Sequence, residues 1–181
     1  MWQRRLPELP PWPVSPRPFP EEALGSWLGR VAARYRMSVQ HLCHEHELQL
    51  DLETSRAGWL VLPVVADPTI RQLARLARLE EGRLQEIQTP TSEATNWRIQ
   101  FYCARCLFLN PVDVAAPRWK RVWLDPEVTV CEVHGTPLVS VASSALHRCK
   151  NFDQTLKVIG RIELKRTRKL PGLRDMRYSR H

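Results

Sequence analysis

Cys103-Ala104-Arg105-Cys106, answered downstream by Cys131-Glu132-Val133-His134-Gly135, decides how the second half of this chain folds. Two short ligand pairs separated by about two dozen residues are what a closed, four-coordinate structural zinc site needs. Each pair sits on a tight turn that aims both side chains at one ion, and the segment between them folds back to join the pairs. Cys103, Cys106, Cys131 and His134 fill all four positions, so no position is left for water or substrate. Such a metal holds the fold and does no chemistry. The competing reading makes Cys103 and Cys106 a redox pair with Cys131 and His134 incidental. It is the poorer one, because a CxxC with a matching CxxH is a far more specific signal than a CxxC alone.

Upstream of the first pair, Trp97-Arg98-Ile99-Gln100-Phe101-Tyr102 reads as a strand leading into it. Between the pairs, Arg118, Lys120 and Arg121 alternate with Trp119 and Trp123 in the stretch Pro117 to Trp123. Two readings stay open here. The stretch is a basic-aromatic surface for nucleic acid or an acidic protein, or both tryptophans pack over the zinc site while the cations face water. Thr89-Pro90-Thr91-Ser92 is a linker and the expected domain boundary.

The half before that linker reads as helical. Leu24, Trp27, Leu28, Val31 and Tyr35 share one face at three- and four-residue spacing from Glu21 onward, with Arg30 and Arg34 facing away. Pro20 and two early glutamates suit a helix start. Ser38 caps a second helix running to about Leu48. The stretch from Gly58 to Val65 is a short strand or a buried loop. Asp67 caps a helix beginning at Pro68, with Ile70, Leu73, Ala74, Leu76 and Ala77 as its apolar stripe and Arg71, Arg75 and Arg78 largely outside it. A turn near Glu80–Gly82 leads to a short helix over Arg83–Gln88. That pair has the outline of a helix-turn-helix, an outline shared with plain helical bundles. His41, Cys43, His44 and His46 do not make a second metal site on a helix: His41 and His44 share a face while Cys43 and His46 point elsewhere.

The expected fold class is mostly α with a small α+β, zinc-ribbon-like module. The expected organisation is a proline-rich extended leader over 1–20, a helical, helix-turn-helix-like domain over 21–90, a zinc-binding module over 91–150 and a basic C-terminal tail over 151–181. The chain has 181 residues, 15 prolines, seven tryptophans and a formal net charge of +8, which makes an anionic partner the natural expectation. The five cysteines are an odd count, no apolar run near the N-terminus reads as a signal peptide, and nothing approaches a membrane-spanning length. A reducing, cytoplasmic setting is therefore expected, where paired cysteines mean metal more often than disulfide. No acidic cluster for two-metal chemistry, no glycine-rich phosphate loop and no His-x-Glu beside the ligands is present, which argues against an enzyme.

Pro16-Arg17-Pro18-Phe19-Pro20-Glu21-Glu22-Ala23-Leu24-Gly25-Ser26-Trp27-Leu28-Gly29-Arg30-Val31-Ala32, then Cys103 and Cys106, the aromatic-basic stretch ending at Trp123, Cys131, His134 and Leu138 together resemble the TniQ family of transposon targeting proteins. The resemblance spans about residues 16–140, and the chain is short like the compact forms found in CRISPR-associated transposons. Members often carry a further CxxC pair after the CxxH. Here His147 and Cys149 stand one residue apart with no later cysteine, so one zinc site is expected and no second. The resemblance implies an adaptor rather than an enzyme, linking a target-site recogniser, either a CRISPR effector with its guide RNA or DNA itself, to an AAA+ ATPase that recruits the transposase. Candidate nucleic-acid or partner contacts are Trp27, Arg30, Arg34, Arg118, Lys120, Arg121, Lys165, Arg166, Arg168 and Lys169. The competing function is a stand-alone, zinc-containing helix-turn-helix regulator that binds DNA by itself.

Overall fold

The apolar stripe Leu24, Trp27, Leu28 and Val31 winds into α1 (Leu24–Arg34) and is wholly removed from solvent. This is seen in the computed structural model, which describes residues 10–52, 57–89, 98–108 and 117–169. Trp2 and Trp97, the leader before residue 10, the linker from residue 90 and the tail beyond 169 lie outside the described residues, as does the side chain of Lys169. The helix starts later than the expected Glu21. Glu21 lies in a turn that the Glu22 N–H closes onto the Phe19 carbonyl at 3.0 Å, Glu22 forms an antiparallel bridge with Lys120, and Ala23 is the residue before the first turn.

α2 (Val39–Glu45) begins as its capping residue predicts, with the Ser38 hydroxyl accepting a hydrogen bond from the His41 N–H at 3.0 Å. The ambiguous stretch is a buried loop: a 3-10 turn over Gly58–Leu60 runs into buried Val61 and Leu62. α3 (Asp67–Ala77) carries Pro68 in its first turn and ends at Arg78, whose φ of 55° is left-handed. Two further residues lead into α4 (Glu81–Glu86), which turns Leu84 to the core.

Beyond the linker, β1 (Ile99–Tyr102) pairs antiparallel with β2 (Val139–Ala142), setting Ile99 opposite Ala142 and Tyr102 opposite Val139. Two short helices, α5 (Ala104–Phe108) and α6 (Ser143–Leu146), follow the two strands. The chain is thus mostly helical with one small sheet. Where the sequence reading places only a basic tail, residues 152–169 form a long helix, α7 (Phe152–Lys169). Phe152, Thr155 and Ile159 at three- and four-residue spacing bury its inner face against the molecule, where it packs on α1. The cations on its outer face hide that short stripe in the sequence.

One core runs from Trp12 to Ile159 and takes in helical residues and the ligands Cys103 and Cys131 alike. The proline-rich segment closes over it. Trp12 N–H donates to the Leu76 carbonyl at 2.7 Å, Trp27 Nε1 to the Pro16 carbonyl at 2.8 Å, and the Tyr35 hydroxyl bonds both Val14 N–H and Val14 carbonyl. On α1, a Cβ at Gly25 would fall 2.2 Å from the Trp59 carbonyl oxygen, so glycine is what lets this loop lie against the helix. Among the described residues, no helix is long and apolar enough to cross a membrane.

Candidate metal centre and the buried ionic seam

β1 ends at Tyr102 and delivers Cys103 to the edge of the sheet, and α5 starts at the next residue. One helical step of three then brings Cys106 round to the same side. The second pair rides on a narrow hairpin. Val130 and Pro137 form an antiparallel bridge, Cys131 N–H donates to the Thr136 carbonyl at 2.8 Å, and Gly135 N–H donates to the Cys131 carbonyl at 2.8 Å. Gly135 has φ 58°, a conformation glycine adopts without steric cost, and so the turn closes just after His134.

Four donor atoms converge as a result, all within 4.8 Å of one another. His134 Nδ1 lies 3.5 Å from Cys103 Sγ, 3.3 Å from Cys106 Sγ and 3.7 Å from Cys131 Sγ, and the two sulfurs of Cys106 and Cys131 are 3.6 Å apart. A tetrahedron built on ordinary zinc–sulfur and zinc–nitrogen bonds has edges of about 3.8 Å between sulfurs and about 3.6 Å between sulfur and nitrogen. These four edges match to within a few tenths of an ångström. Three soft thiolates and one imidazole are also the donor chemistry that suits zinc. These residues can hold one such ion with no position left open.

The thiols differ in how readily they ionise. Burial pushes Cys106 up to about 12, with its bond to Cys131 adding to the effect. Burial also raises Cys103, but the Cys106 N–H and the Thr136 hydroxyl, 3.8 Å from its sulfur, outweigh that and bring it below the ordinary thiol value. Thr136 is a supporting residue that no motif in the sequence flags. Glu132, between the ligands, is an exposed carboxylate 3.4 Å from Lys120 Nζ.

A second polar cluster joins the two halves of the molecule. Glu22 is wholly buried; its carboxylate lies 3.0 Å from Arg30 Nε and accepts from the Ser26 hydroxyl at 2.8 Å. Ser26 Oγ in turn accepts from Trp119 N–H at 2.9 Å, while the Trp119 carbonyl accepts from Ala23 N–H at 2.9 Å. Beside it, Arg118 Nε donates to Glu21 at 2.7 Å. The guanidinium groups of Arg118 and Arg30 lie 3.9 and 4.9 Å from the centre of the same Phe19 ring. Burial pushes the Glu21 carboxyl up, but its own backbone N–H and Arg118 prevail and hold it below the ordinary carboxylate range. Burial drives Glu22 up to about 7 against the opposing pull of Arg30 and Ser26.

Several of the expected partner residues are taken up by contacts inside the molecule. Trp27 is completely buried and is a core anchor. Arg30 turns inward, because Glu22, extended just ahead of α1, presents it with a buried carboxylate. Arg118 and Lys120 are occupied by Glu21 and Glu132, and Trp119 and Trp123 are buried against one another with ring centres 5.9 Å apart, so this stretch is not a stacking platform. Arg166 is bound to Glu163 at 3.0 Å and to the Ser140 carbonyl, tying α7 to the sheet. Arg34, Lys165 and Arg168 are exposed, and Arg121 is half-buried. The recurrence of Glu22, Ser26 and Arg30 at four-residue intervals was the available signal for the seam. Just after α2, His46 Nε2 accepts from Trp12 Nε1 at 2.8 Å, and within α2 Cys43 is buried, which places both in packing roles.

Residues 13–138 match the family model described as TniQ. No curated protein matches the chain.

Proposed function

The chain belongs to the transposition-associated TniQ family, and from that premise we propose that it is a non-catalytic targeting adaptor. It links a target-site recogniser, either a CRISPR effector with its guide RNA or target DNA itself, to an AAA+ ATPase that regulates transposition. The observation that carries this reading is the family match, which extends from the proline-rich segment past both ligand pairs. The closed Cys3His donor set supports it, since a zinc ion held by four side chains offers no coordination position for a substrate. Zinc serves as a staple, and the protein works in the cytoplasm beside DNA.

A second reading, a DNA-binding regulator acting alone, draws on the α3–turn–α4 outline. Its second helix would have to approach a polyanion, yet α4 and the residue before it carry Glu80, Glu81 and Glu86 against Arg83. Like charge at the groove disfavours that docking.

The test is co-sedimentation of the zinc-loaded protein with the AAA+ ATPase of the same element, with and without duplex DNA and nucleotide. Pelleting that requires the ATPase is expected. Tight binding to a defined duplex alone, with no ATPase association, replaces the adaptor with the regulator.

A further inference from the structure

Helix α7 bears a stripe of charge that the other described residues leave without an ion-pair partner. Lys157, Arg161, Lys165 and Arg168 are all exposed, and at about 100° per residue they fall within an arc of about 80° on its outer face. The stripe runs about 17 Å along the helix, with successive cations about 4.5–6 Å apart. Among the described residues none of the four takes part in an ion pair. The carboxylate of Glu163 is taken by Tyr102 and Arg166, which leaves Asp153 as the acid nearest the stripe on this helix. At the other end the surface continues. Arg34 and Arg36 line the same cleft as Asp153 and Leu156, the residue next to Lys157.

We propose that this stripe is a nucleic-acid face, on which Lys157, Arg161, Lys165 and Arg168 bind the phosphate backbone of duplex DNA without reading its bases. The spacing gives each cation its own phosphate along a strand. A duplex fits better than a single strand because the stripe carries no aromatic side chain on which unpaired bases could stack. The choice of DNA rests on the targeting-adaptor reading. The stripe differs from the contacts Lys165, Arg166, Arg168 and Lys169 expected within the basic tail. Arg166, in the middle of that run, is committed to the sheet, whereas Lys157 and Arg161 join the face from upstream.

The experiment measures duplex DNA affinity of the zinc-loaded protein between 50 and 200 mM salt, for the wild type and for Lys157→Gln/Arg161→Gln/Lys165→Gln/Arg168→Gln. Each lost phosphate contact flattens the log–log salt slope by about 0.9, so the quadruple variant should lose about 3.6 of slope. That corresponds to roughly 100-fold of the salt sensitivity across this range. If the quadruple variant melts lower than the wild type, the doubles Lys157→Gln/Arg161→Gln and Lys165→Gln/Arg168→Gln should each remove about half of that slope. Arg166→Gln is the contrast: it should lower the melting temperature and leave the slope in place. An unchanged slope in the folded variants overturns the proposal. So does a wild type that fails to bind duplex, or that prefers single strands. Co-sedimentation with the ATPase separates the two ideas. A flattened slope without ATPase association keeps the DNA face and removes the adaptor, and an unchanged slope with association does the reverse.

Discussion

Glu22 has no exposed surface, and burial lifts its carboxyl from an ordinary 4.5 to about 7 even though Arg30, Ser26 and the Phe19 N–H all favour the charged form. Arg30 is likewise pushed toward its neutral form: its own burial, with the like charge of Arg118, lowers its proton affinity despite Glu22. A cost of desolvation that the attraction does not cancel is common for a buried ion pair. The folded-state value lies above the unfolded one, so between pH 4.5 and 7 the folded protein holds more protons at this site than the unfolded chain. Stability from Glu22 is therefore present below pH 4.5 and lost as pH rises through 7. Thermal melts of wild type and Glu22→Gln across this window should differ by that falling slope; parallel curves would show that Glu22 does not titrate there. Arg30→Ala leaves the carboxylate buried without its cation and should cost about 3–5 kcal/mol in urea unfolding. A loss under about 1 kcal/mol would mean that Glu22 takes up a proton or finds water instead.

At the scale of elements, α1 and α7 set opposite demands on glycine. A methyl group at Gly25 would meet the Trp59 and Leu60 carbonyl oxygens at 2.2 and 2.4 Å, and main-chain atoms cannot rotate aside. Gly25→Ala should destabilise by about 3 kcal/mol, the upper end of the overpacking range. Gly160, inside α7, has nothing within 4 Å of the added carbon. Gly160→Ala should stabilise by about 0.5–1 kcal/mol, because the helix no longer orders a residue of such high unfolded freedom. Denaturant midpoints of the two variants should move in opposite directions, and movement in the same direction would contradict the packing described for α1. Much of α1 was legible beforehand, since Leu24, Trp27, Leu28 and Val31 repeat over two turns. α7 was not, because among its described side chains only Phe152, Thr155 and Ile159 are fully buried along a helix otherwise dense in cations.

For the whole molecule, the metal centre and the helical half stand or fall together. Cys103 and Cys131 belong to the same core as α1 and α3, and the Ser26–Trp119 and Ala23–Trp119 bonds cross between the two halves. Zinc bound only by the folded state contributes its binding energy to folding. Chelation, Cys103→Ala or His134→Ala should therefore lower one cooperative transition of the entire protein, with near- and far-ultraviolet circular dichroism falling together. Two separated transitions, with the helical signal surviving the first, would make the zinc segment an independent unit. Zinc analysis of the wild type should return one equivalent, and a Cys103→Ala protein that keeps full zinc and normal melting would disprove the ligand assignment.

By itself, the sequence determined whatever is written in local spacing. The CxxC and CxxH pairs name all four candidate ligands. The apolar period marks α1 and α3, and Ser38 marks the start of α2. The ordered motifs of the N-terminal helix and the ligand pairs identify the family. Only the tertiary structure decided which charges remain available. Arg118 meets Glu21 ninety-seven positions away in the chain. Trp27 is buried, whereas Lys157 and Arg161 stay in water. Spacing along a chain assigns a side chain to a face of its own element. Whether that face meets solvent, an opposite charge or the core depends on contacts between distant segments, which no local pattern encodes.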